Sequence, residues 1–260
     1  TNGLPGNYPV RVVREDPVQP GLLYAGTEFG LFVSLDEGRR WQPLQRNLPI
    51  VPISDLAVQG SDLVVATQGR SVYVLDDVTP LRQLAAALPG GLPTGRAHLF
   101  APRDAYRATS GSAAAGQEAW APDSAPPGAL LHYHLAAAPD SGQPVTLAVL
   151  DAAGQVVREW SSDTARARTL RTPALPTARG THRVPWDLTY PGPTPVKGAV
   201  VWGYTAGVKA PPGAYQVRLV ANGVTRTQPL RVLPDPRLKG VTDADYAAQF
   251  RAAIAVRDTM

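Results

Sequence analysis

Ser34-Leu35-Asp36-Glu37-Gly38-Arg39-Arg40-Trp41 has the spacing S-x-D-x-G-x-x-W and lies between two strand-like runs, Leu31-Phe32-Val33 and Trp41-Gln42-Pro43-Leu44. A tight turn that reverses a hairpin needs a short polar side chain to bond its own backbone N–H groups, and a glycine where φ must be positive. Asp36 and Gly38 supply these two. A large aromatic on the returning strand can lie across the turn and keep water from those bonds, which is the role expected of Trp41.

Outward from this turn, residues 10–76 alternate short apolar runs with turn chemistry, the pattern of an all-β unit. Strands are expected near residues 10–13, 22–26, 30–34 and 40–44, then 53–58, 63–67 and 71–76. Residues 22–27 align with 63–67, and residues 30–34 with 70–75. The spacing is a repeat of about forty residues, which suits a unit of four short strands. The second copy has Leu75-Asp76-Asp77 where the first carries its full octet, so its turn has degenerated.

The octet resembles the Asp-box, the bacterial-neuraminidase-repeat hairpin of sialidases, sortilin-type receptors and xyloglucan-degrading endoglucanases. The approach Leu22-Leu23-Tyr24-Ala25-Gly26-Thr27-Glu28-Phe29-Gly30-Leu31-Phe32-Val33-Ser34 is similar to theirs. The resemblance implies β-propeller blades in which Ser34, Asp36, Gly38 and Trp41 are a folding device set away from any catalytic pocket. Asp62-Leu63-Val64-Val65-Ala66-Thr67-Gln68-Gly69-Arg70-Ser71, with Leu75-Asp76-Asp77, resembles the last blade of large bacterial sortilin-like or glycosyl-hydrolase-like repeat proteins. Propellers need about four blades or more. The resemblance therefore implies the C-terminal part of a longer protein, whose last blade is completed by an upstream strand.

Residues 81–125 are expected to be a connection and mobile loop. They include one helical turn at 81–88 ended by Pro89-Gly90-Gly91, a short strand at 98–100, and an Ala/Gly/Ser/Pro-rich stretch poor in core formers. Residues 126–234 read as a second β unit of six or seven strands, with Asn222-Gly223 as a two-residue hairpin signal. Gly180-Thr181-His182-Arg183-Val184-Pro185-Trp186-Asp187 and Ala210-Pro211-Pro212-Gly213-Ala214-Tyr215-Gln216-Val217 resemble the Ig-like domain of flagellar hook-capping proteins. That resemblance implies an Ig-like β-sandwich with Trp186 at its centre and Tyr215 opening the final hairpin. Residues 235–260 are expected to begin a helical tail, with Thr242 as N-cap and acids in its first turn. The fold class is thus all-β: residues 1–80 as the last two blades of a β-propeller, then an Ig-like β-sandwich, then a short C-terminal helix.

The 260 residues carry a net charge of +4, and the basic excess falls in residues 98–233 without clustering. Only Arg166, Arg168 and Arg171 come near one another, as a solvated loop, so no nucleic-acid partner is expected. No run approaches the eighteen or more apolar residues of a membrane helix. The absence of cysteine removes disulfides and Cys-built metal sites and leaves the redox compartment open. The first seven residues lack a basic-then-apolar leader, so a secreted form would be mature or a fragment.

Glycosidases need two carboxyl groups about 5–9.5 Å apart, and no pair of acids here has a spacing that assigns them. Glu28, in a turn between two strands, is the acid that would face a channel or rim, or else stand as a solvated turn acid. Trp202 and Tyr204, on the long loop 191–209, could stack on sugar rings or anchor the loop to the domain beside it. His132 and His134 share a strand face, a geometry open to two metal ligands, but no third ligand has a predictable place, so no metal and no cofactor is expected. The nucleophile-elbow, phosphate-loop and zincin motifs are absent. The expected function is a non-catalytic structural or interaction segment of an extracellular or cell-envelope (periplasmic) protein, binding protein or polysaccharide at the cell surface. The alternative is the accessory part of a glycoside hydrolase whose carboxylates lie upstream.

Overall fold

Alternating apolar residues bounded by glycine and aspartate turns fold the first stretch into an antiparallel meander. Its strands are β1 (Val10–Glu15), β2 (Leu23–Thr27), β3 (Gly30–Ser34) and β4 (Gln42–Pro43), in the order β1-β2-β3-β4. β4 is shorter than the 40–44 expected, because Pro43 has no N–H to extend a ladder and sits on an edge strand. A second meander follows, β5 (Ile53–Gln59), β6 (Asp62–Thr67) and β7 (Val72–Leu75), in the order β5-β6-β7. The chain then leaves through helix α1 (Thr79–Ala87). The computed structural model describes residues 2–87, 95–108, 125–140, 142–194 and 207–259.

The two meanders share one core. Leu22, Tyr24, Leu31 and Val33 from the first meet Ile53, Leu56, Leu63 and Val65 from the second, with Val78 and Ala85 closing one side. β2 and β5 approach so closely that a Cβ on Gly26 would come within 2.6 Å of Ile53 Cγ2 and 2.7 Å of Val12 Cγ1. The repeat extends to single bonds. Thr27 Oγ1 donates to Gly30 O at 2.9 Å, and Thr67 Oγ1 donates to Ser71 O at 2.6 Å, closing equivalent hairpins in the two sheets. Asp16, whose side chain is fully buried, is clasped by Arg82 of α1, with Nε 3.0 Å from both carboxylate oxygens. The Asp16 carboxylate also accepts from the Val18 and Gln19 N–H groups, so the buried charge is fully engaged.

The chain divides into two compact units, Thr1–Thr94 and Gly95–Met260. The second begins upstream of the expected start at 126, because two short strands in the supposed connection belong to its sheets. They are β8 (Ala97–Leu99) and β9 (Ala105–Arg107). The remaining strands are β10 (Ala129–Leu135), β11 (Thr146–Leu150), β12 (Val156–Ser161), β13 (Gly180–Trp186), β14 (Gly213–Ala221) and β15 (Val224–Pro234). They form one sheet ordered β13-β10-β8 and another ordered β12-β11-β14-β15-β9. All pairs are antiparallel except β15 with β9, which is parallel.

The inner faces of the two sheets meet in one core around Trp186, whose ring packs edge-on to Tyr215 at 5.6 Å. Trp186 Nε1 donates to Thr189 O at 3.1 Å, and Asp187 Oδ1 accepts from the Thr189 N–H and hydroxyl, fixing the turn after β13. Helix α2 (Thr164–Leu170), capped by Asp163, stands where residues 166–171 were expected to be a loop. Helix α3 (Asp243–Thr259) opens as expected, with Thr242 Oγ1 accepting from the Asp245 N–H and the Asp245 carboxylate accepting from Thr242 in return. No described helix is long and apolar enough to cross a membrane.

Candidate functional site

The octet folds as its chemistry requires. Ser34 Oγ accepts from the Gly38 N–H at 2.9 Å and donates to Asp36 Oδ1 at 2.9 Å, while Asp36 Oδ1 accepts from the Arg40 N–H at 2.8 Å. Glu37 and Gly38 both have positive φ, 62° and 81°. Trp41 covers the turn: its Cζ2 lies 3.7 Å from where a Gly38 Cβ would be, and its ring packs with Ala25 and Phe32. The Arg40 N–H, then the Ser34 hydroxyl and the nearby arginines, hold the Asp36 carboxyl below its ordinary range. The Asp36 Oδ1, N–H and C=O groups all bond within the turn.

Glu28 sits in the β2–β3 turn and is held by Arg11, whose Nε donates to Oε1 at 2.9 Å. Its backbone N–H bonds Pro9 O. Trp202 and Tyr204 lie outside the described residues. Their loop is pinned at its base by the Tyr190 N–H to Val208 O and the Ala210 N–H to Leu188 O. Asp77 accepts from the Thr79 N–H and hydroxyl, holding the chain as it enters α1. Among the described residues no group of three or more His, Asp, Glu or Cys could hold a metal ion.

The histidine expectation changes in a specific way. His132 is buried rather than on an exposed face, while His134 stands directly opposite His98 on β8 and opposite Thr181 on β13. His134 Nδ1 lies 3.1 Å from Thr181 Oγ1. Burial lowers the pKa of both His98 and His134. His134 and Arg226 add to the effect on His98, and His182 and Arg179 add to it on His134. This pairing depends on the β8–β10 register, which sequence spacing does not carry.

The surface that sequence reasoning missed is the outer face of sheet β5-β6-β7. Leu63, Val65, Tyr73 and Leu75 point inward to the shared core. The alternate positions point the other way and form two cross-strand rows, Ala57–Val64–Val74 and Asp55–Ala66–Val72. Val72 is 57% exposed and Val74 52%. The companion sheet exposes Val10 and Val13 on its edge strand β1, but its inner strand is covered. β3 is buried at every residue, because the shared core covers one side and Leu4, Tyr8 and Trp41 pack around Phe32 on the other. The signal was present as Val72 and Val74 alternating with Tyr73 and Leu75, an edge strand apolar on both faces.

No family model matches the chain, and no curated protein is similar enough in sequence to be set beside it.

Proposed function

We propose that this chain is a non-catalytic structural and interaction segment of a secreted or cell-envelope Asp-box propeller protein. Its first unit supplies two blades, and its second an Ig-like sandwich that engages protein or polysaccharide at the surface. The observation that carries this reading is the bare apolar face of β5-β6-β7. A sheet already packed on one side, with Val64, Ala66, Val72 and Val74 turned outward, has the chemistry of an inner layer rather than of a surface. Its occupant on this reading is a further sheet of the same kind, stacked as β1–β4 stacks on its other side. The Asp-box bonds, the matching Thr27 and Thr67 closures and the Trp186-centred core support the same assignment. The acids of the first unit support a role other than catalysis, because Asp16, Asp36, Asp77 and Glu28 are each committed to a turn, a cap or an ion pair.

The test is the association state of the 260-residue chain across a concentration series, beside Val72→Glu/Val74→Glu. The wild-type chain is expected to self-associate and to bind an apolar dye, and the variant to be monomeric with an unchanged thermal midpoint. A wild-type chain that stays monomeric at high concentration and binds no dye overturns the stacked-blade reading. Hydrolysis of a glycan by the isolated chain would replace the segment's non-catalytic role with the hydrolase alternative.

A further inference from the structure

On the second unit, the outward side of sheet β13-β10-β8 carries a row of polar side chains running across the strands. His98, His134 and Thr181 occupy neighbouring cross-strand positions on β8, β10 and β13. At the usual strand spacing the row spans about 10 Å. Its ends are cationic: Arg226 of β15 acts on His98, and Arg179, just before β13, acts on His134. Both arginines are exposed. The other ionisable groups near the row are His132 on β10 and His182 and Arg183 on β13. No carboxylate is among the groups that perturb either histidine.

The same ladder continues past Ala97 and Leu135 into a cleft of about 240 Å³, lined by Arg96, Ala136, Asp140 and Asn222. Asn222 Nδ2 donates to Arg96 O and Ala137 O, which fixes the orientation of the amide. That orientation leaves Oδ1 as a buried acceptor with no partner.

From the row, its cationic ends and the cleft into which the ladder runs, we propose that this face binds an acidic polysaccharide, with sugar carboxylates lying along Arg226, His98, His134 and Arg179. The inference rests on the reading of this chain as a surface-binding segment and names the polymer. A linear row with cationic ends, which gains charge as its histidines protonate, suits a chain of anionic groups better than one small ion, which would need donors converging on a single point. A nucleic acid would call for exposed aromatic platforms between the cations. The aromatic beside His98 is Phe100, which is buried and packs edge-on against that ring at 4.7 Å.

Protonation strengthens the site. An anion over the row raises the affinity of both histidines for protons, so binding tightens as pH falls toward and below their range.

The experiment is calorimetric titration of the 260-residue chain with oligogalacturonate at pH 7.5 and 5.5, with neutral dextran and single-stranded DNA of equal charge as comparators. Affinity for oligogalacturonate is expected to rise about tenfold between the two pH values, the change given by a net uptake averaging about half a proton over those two units. His98→Gln/His134→Gln should abolish the pH dependence, and Arg179→Gln/Arg226→Gln should weaken binding about tenfold at both pH values. Arg39→Gln, on the other unit, should bind as wild type. Circular dichroism confirms that each variant is folded, and ring-proton shifts of the two histidines report engagement directly. Equal affinity at both pH values, unchanged binding by the His variant, or equally tight binding of DNA would each overturn the proposal. Saturable zinc binding lost in the His variant, without oligogalacturonate binding, would make the pair a metal site instead. The Val72/Val74 variant leaves this face untouched, so failure here is separable from failure of the stacked-blade reading.

Discussion

At the scale of single residues, Asp36 and Gly26 make opposite kinds of contribution. Asp36 joins the turn to itself, and Asp36→Ala removes its bonds to the Arg40 N–H and Ser34, at a cost of about 1 kcal/mol in the first unit. Because the folded carboxyl is held below its ordinary value of 3.8, its stabilisation is present above that pH and is lost as pH falls through the lowered value. The difference in midpoint between wild type and Asp36→Ala should therefore narrow in acid, which thermal melts at pH 7 and pH 3 would check. Gly26 contributes by absence: Gly26→Ala drives a methyl into Ile53 and Val12, and an urea titration should show a loss of about 2 kcal/mol. The first effect was legible in the sequence, because S-x-D-x-G-x-x-W specifies a turn by local chemistry alone. The second was not. Gly26 lies mid-strand with an ordinary backbone, and only the arrival of β5 makes its missing Cβ necessary.

At the scale of elements, α1 packs Ala85 and Leu81 on the shared core and ties its Arg82 to Asp16. Arg82→Ala would leave the buried Asp16 carboxylate without its guanidinium, bonded to its local N–H groups and the Tyr24 hydroxyl, a loss of about 3 kcal/mol in chemical denaturation. Arg82→Lys should recover only part of it, since an ammonium cannot place one donor between both carboxylate oxygens and another on Gly60 O. Hairpins with their own turn chemistry were readable from the chain: the 30–34 strand and the Asn222-Gly223 reversal stand where their residues put them. Elements defined by distant partners were not. β8 and β9 are three residues each and exist through β10 and β15. The seven-residue α2, Thr-Ala-Arg-Ala-Arg-Thr-Leu, buries only Ala167 and has no apolar period to betray it, although Asp163 before it is a legible cap. For the same reason His134 could be paired in advance with His132, two residues away, but not with His98.

At the scale of the molecule, two separate cores give two separate stabilities. Calorimetry should resolve two transitions. Arg82→Ala should lower one, and Trp186→Ala should lower the other by about 4 kcal/mol through the cavity left at its centre. The second transition carries its own pH response. His98 and His134 take up protons less readily folded than unfolded, so stability is full above their ordinary value of 6.5 and declines as pH falls through it toward the lowered folded value. Melts between pH 7.5 and 5.5 should show this decline, and His98→Gln/His134→Gln should flatten it.

The clasp of Asp16 by Arg82 also sets a schedule for biosynthesis. The two residues are 66 positions apart. At translation rates of about 5–20 residues per second, the carboxylate is made roughly 3–13 seconds before its guanidinium. During that interval Asp16 has no counter-charge to be buried with, so the nascent sheets remain hydrated and open at that corner. Closure of the first unit is thereby timed by the ribosome's passage through α1 rather than by the completion of its last strand.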